Sequence, residues 1–179
     1  THYRVEVRRL LKKQLAVFDG RTLLLDEGNG VTRSDSPEDT REFKASAERD
    51  LLPLLVRLAS GGLTVRPIGR KSETSVSRPV AEVLVSGSDL QSPIVLGIDT
   101  KSGLVVTESY PVPVDTTDTW IVEEFSDYRD VDGVKLPFKC VVRNMAGPLR
   151  EREAEKYEIN LDLAPALFDV GTPDKPARR

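Results

Sequence analysis

Histidine and cysteine are almost missing from this chain, with one of each, His2 and Cys140, in 179 residues. A Ser–His or Cys–His nucleophile needs its base held rigidly against the attacking atom. A histidine at the chain end is poorly placed for that. One cysteine excludes a disulfide within the chain, and a transition-metal site built on His and Cys is not expected. Cys140 lies within Phe138 to Val142 and reads as a small core residue rather than a reactive thiol. Aromatic residues are scarce at 6%, and no apolar run approaches the ~20 residues that a membrane-spanning helix needs. An excess of positive charge is lacking too. With 26 Lys and Arg against 29 Asp and Glu, the net charge is -3, which argues against a nucleic-acid partner. Arg8, Arg9, Lys12 and Lys13 form a local basic run, but neighbouring acids balance it, as on a solvated face. No charged-then-apolar leader opens the sequence, so any signal peptide is expected to be already removed, and localisation is not readable from targeting.

What is present is strand alternation and turn chemistry. Tyr3, Val5 and Val7 alternate with polar residues, the period of a half-buried strand. Asp19-Gly20 is a hairpin dipeptide between 15–18 and a returning strand 21–26, with a short strand 31–33 after a second turn. Gly28-Asn29-Gly30 leads into that strand and not into a helix, so it is no phosphate loop. Ser36-Pro37-Glu38-Asp39 carries the marks of a helix start: a capping serine, proline at the first helical position and acids in the first turn. Phe43, Ala47, Leu51, Leu54, Leu55 and Leu58 then recur at spacings of three and four, one helical face. Pro53 interrupts the pattern, which predicts two helices or one kinked helix, ending at Ser60-Gly61-Gly62. Beyond it nearly everything reads as strand: 63–68, 80–86, 94–99, 104–109, 120–128, 135–144 and 149–160. Turn residues such as Asp132-Gly133 separate them, and connections this short predict an antiparallel meander. The layout is three strands, a helical segment and about seven strands. A sheet that long twists and curls.

Several runs in the expected order resemble a known family. Asp127-Tyr128-Arg129-Asp130-Val131-Asp132-Gly133-Val134-Lys135-Leu136-Pro137-Phe138 is similar to a signature of the LolA/LolB lipoprotein-localisation superfamily. Ala16-Val17-Phe18-Asp19-Gly20, the leucine-rich segment after Ser36-Pro37, and Gly97-Ile98-Asp99-Thr100-Lys101-Ser102-Gly103-Leu104 fall in matching order over about residues 15 to 145. The resemblance implies a mainly β (α+β) fold: a strongly curved antiparallel half-barrel with a helical lid on its concave face. One such domain is expected over 1–170, with a flexible tail at 171–179. It also implies an exported, periplasmic protein of the bacterial cell envelope.

Acidic clusters add no metal site. Asp127, Asp130 and Asp132 lack the ligand spacing of a calcium loop, and a tight turn at Asp132-Gly133 explains the same residues. Glu123 and Glu124 point to opposite faces of a strand and cannot form one acid pair. The apolar positions are more informative. Val83, Val85, Val95, Ile98, Val105, Trp120, Val122 and Phe138, with Phe43, Leu51, Leu54, Leu55 and Leu58 from the helical segment, are the candidates to line an apolar cavity. The expected function is non-enzymatic and without a cofactor, the binding of an acyl chain, lipid or lipoprotein between sheet and lid. The alternative is a protein-interaction or envelope-sensing module whose cavity is filled by its own side chains.

Overall fold

The computed structural model describes residues 3–9, 12–26, 30–69, 79–88, 90, 92–114, 117–159 and 161–169. The basic loop side chains at 8–13, His2, the residues of the second turn at 28–29 and the tail 171–179 lie outside the described residues. The protein is mainly β, and its strands form two separate antiparallel sheets. The chain divides into two compact units, one made of residues 1–50 and 162–179, the other of residues 51–161.

In the first unit, β1 (Tyr3–Arg9), β2 (Lys12–Phe18), β3 (Leu23–Asp26) and β4 (Val31–Ser34) follow one another as a meander. The Asp19-Gly20 signal is a real turn. Gly20 has φ +97°, and Asp19 Oδ1 accepts hydrogen bonds from the backbone N–H groups of Arg21 and Thr22 at 2.8 and 2.7 Å. Helix α1 (Pro37–Arg49) begins as its residues require. The Ser36 side chain accepts from the Glu38 N–H at 3.3 Å, and Pro37 takes the first turn, where its missing N–H costs nothing. Val17, Phe18, Leu23, Ala45 and Ala47 are buried, and the Phe43 ring meets Phe18 with centroids 5.9 Å apart. A single 3-10 turn, Pro165–Phe168, gives this unit a further tie, because Arg4 donates to the Leu167 carbonyl at 3.1 Å.

The second unit opens with α2 (Leu51–Ala59). The helical segment therefore breaks at Asp50, whose backbone is extended (φ -55°, ψ 133°), and not at Pro53. Pro53 falls in the first turn of α2, where proline is tolerated. The expected glycine stop is present: Gly61 has φ +77° and the Gly62 N–H donates to the Arg57 carbonyl at 3.1 Å.

Seven strands follow: β5 (Thr64–Ile68), β6 (Val80–Ser86), β7 (Ile94–Asp99), β8 (Val105–Val114), β9 (Thr117–Val131), β10 (Val134–Asn144) and β11 (Gly147–Glu153). They pair in chain order, so β5 and β11 are the sheet edges. The loop at Asp99 is held from both sides. Asp99 Oδ1 accepts from the Lys101 N–H, and the Asp99 carbonyl accepts from Gly103, which has φ +72°. At the β9–β10 turn, Asp132 (φ 51°) and Gly133 (φ 83°) are both left-handed, as a two-residue hairpin loop demands. The strand predicted over 149–160 ends at Glu153. Beyond it the chain is tied back to β10 by the Ala154 N–H on the Phe138 carbonyl and the Tyr157 hydroxyl on the Pro137 carbonyl, both at 2.8 Å.

Candidate functional site

Register sorts the predicted cavity residues onto two faces of the seven-stranded sheet. Side chains alternate along a strand and match across a ladder. The row Val83, Leu96, Glu108, Glu123, Val142 therefore marks one face, and the row Val95, Ser109, Val122, Arg143 marks the other. Leu51 and Leu54 of α2 pack with Val85, Ile94, Leu96 and Val105 in one buried cluster on the first face. Leu55, Leu58, Val83 and Ile98 border that cluster and are partly buried. Eight of the thirteen candidates thus come together: Leu51, Leu54, Leu55, Leu58, Val83, Val85, Ile98 and Val105.

The other five lie elsewhere. Val95 and Val122 share the opposite face and are half-buried, and Trp120, two residues along from Val122, is 45% exposed. Phe138 is buried in a different setting. The Tyr157 ring meets it edge-on at 5.0 Å and the Arg129 guanidinium stacks over it at 4.2 Å. Phe43 belongs to the first unit, against Phe18.

On the same face as the leucine cluster lies a polar group that the sequence reading did not assemble. Tyr110 on β8, Glu123 on β9, Cys140 on β10 and Arg152 on β11 are contributed by four successive strands. The Tyr110 hydroxyl donates to Glu123 Oε1 at 2.9 Å, and the Cys140 thiol donates to Glu123 Oε2 at 3.3 Å. Arg152 donates to Glu123 Oε2 and, at 3.3 Å, to Cys140 Sγ. Glu108, in register with Glu123, is buried at 1% exposure. Glu123 and Glu124 do point to opposite faces: Glu124 pairs with Arg143 at 3.0 Å on the other side. The usable signal for this group was alternation read together with register, since no stretch of sequence holds more than one of its four members.

The chemistry of this group is restrictive. Burial pushes the Cys140 thiol up from 9.0 to about 11, outweighing the Arg152 hydrogen bond that pulls the other way. At neutral pH the sulfur is a protonated donor and not a nucleophile. Among the described residues, no three His, Cys, Asp or Glu side chains gather as metal ligands. No described helix is long and apolar enough to cross a membrane. Compared with known proteins, the chain matches no family model, no curated protein and no solved structure.

Proposed function

We propose that this protein binds an acyl chain, as free lipid or as the lipid of a lipoprotein, without covalent chemistry and within the bacterial cell envelope. In this reading the seven-stranded sheet curves as a half-barrel and α2 is the lid on its concave face. The observation that carries it is the border of the leucine cluster. Beside the closed centre at Leu54 and Val85, the residues Leu55, Leu58, Leu63, Val83, Ile98 and Ile121 are apolar and only partly buried, packed against the cluster to which α2 contributes Leu51 and Leu54. A chain sliding beneath that border would bury methylenes at about 0.8 kcal/mol each. The resemblance of the run 127–138 to lipoprotein-localisation proteins supports the same ligand class and the envelope setting.

Leu55→Asp and Leu58→Asp each put a charge at the border while leaving Leu51 and Leu54 in place. Each is expected to weaken binding of a fluorescent fatty acid by tenfold or more, with the circular dichroism spectrum unchanged. Unchanged affinity in both variants rules the reading out.

The second reading, an interaction module with a filled core, draws on a different fact. Leu54, Val85 and Ile94 are all at 0% exposure, so the centre of the cluster is closed to solvent. A partner would then pair along an edge strand of the sheet, β5 or β11.

A further inference from the structure

We propose that the end of the seven-stranded sheet bearing the turn after Asn144 docks on a lipid surface, with the tip of the β10–β11 hairpin inserted among the headgroups. The tip is apolar where a turn is ordinarily polar. Met145, Ala146, Pro148 and Leu149 surround Gly147, and Asn144 at the start of the turn is engaged with the backbone, its Oδ1 accepting from the Ala146 N–H at 2.9 Å. Met145 is 94% exposed and Leu149 57%, and Ala146 and Pro148 between them are exposed as well. Leu149 is turned out by the register. The β10–β11 ladder pairs Arg143 with Pro148 and Val142 with Arg150, so Leu149 is the extra residue of a bulge.

A third large side chain lies level with this tip, although β8 and β9 stay paired beyond it to Val114 and Thr117. The β9–β10 ladder ends at the pair Arg143 and Val122, and both Met145 and Trp120 lie two residues beyond it. Trp120 is 45% exposed. Exposed tryptophan beside protruding Met and Leu side chains suits a membrane interface, where the ring sits at headgroup depth.

Charge points the same way. Arg150, next to Leu149, is exposed and has no ion pair among the described residues, whereas Arg143 is tied to Glu124. A free cation beside an apolar tip complements anionic headgroups. One arginine is a small contribution, so apolar insertion carries most of the binding. None of this depends on the border of α2. A protein that takes up no acyl chain could dock in the same way.

Trp120 is the chain's sole tryptophan, so its emission reports on this level of the sheet without a label. The full chain would be mixed with vesicles of phosphatidylcholine alone and with vesicles containing a minority of phosphatidylglycerol. Emission is expected to shift to the blue and the protein to float with both, more tightly with the anionic ones. Met145→Glu combined with Leu149→Glu lowers partitioning by roughly tenfold or more, and Arg150→Glu removes the preference for anionic lipid. Circular dichroism confirms that the variants fold, as their exposure predicts. The proposal is overturned by no shift and no flotation on either vesicle, and equally by undiminished flotation of the folded double variant.

Discussion

At Cys140 the surroundings work against the thiolate. The sulfur is buried, donates to a carboxylate and accepts from the Arg152 guanidinium at 3.3 Å. Its folded value of about 11 lies above the ordinary 9.0. The sign of the linkage follows from that. The protonated thiol is the form the fold favours, so this contribution to stability is complete below pH 9 and is lost as pH rises through about 11. At pH 8 a disulfide reagent should label Cys140 slowly in the native protein and fully in urea. Equal rates in both states would mean that the thiol is not held as described. The same residue shows what sequence can and cannot give. A small buried side chain between Phe138 and Val142 was readable from its neighbours. Its link to Tyr110, Glu123 and Arg152 was not, because those residues are 12 to 30 positions away and meet only through ladder register.

Elements were legible where a local rule fixes them. The strands 80–86 and 94–99 are where alternation puts them, and so are the serine cap of α1 and the left-handed pair at Asp132-Gly133. The helix break was misplaced by three residues, because Pro53 is harmless in a first turn and the chain instead extends at Asp50. The single long sheet suggested by the strand count is two sheets of four and seven strands, since the helical segment intervenes between β4 and β5. Apolarity alone did not sort the candidates by face: Val95, Trp120 and Val122 are as apolar as Val83 but lie on the other side of the ladder. One element carries a packing constraint that composition hides. Gly97 on β7 is buried, and a Cβ there would collide with the Thr107 side chain opposite and crowd Val80 Cγ1 at 2.9 Å. Gly97→Ala is expected to cost about 1–3 kcal/mol through overpacking. That loss is read as a lower urea midpoint with an unchanged slope. A midpoint equal to the parent's would show that β7 and β8 have room to spare.

For the molecule as a whole, composition excluded more than it identified. With one cysteine the chain has no disulfide of its own, and its 26 basic residues against 29 acidic ones give no surplus of positive charge. What it does have is an apolar face on a long antiparallel sheet, a leucine helix against that face, and a border of half-buried apolar side chains beside a closed centre. Whether that border admits a ligand is a question of volume and motion, which hydrophobic pattern alone does not encode. The first unit adds its own small core around Phe18 and Phe43, so the apolar residues of the helical segment serve two different units. The most direct test of acyl-chain binding is native mass spectrometry of the freshly purified protein, followed by organic extraction. A stoichiometric adduct of acyl-lipid mass, or one that forms on adding fatty acid or phospholipid, is the expected result. Bare protein that also ignores every added lipid would contradict it.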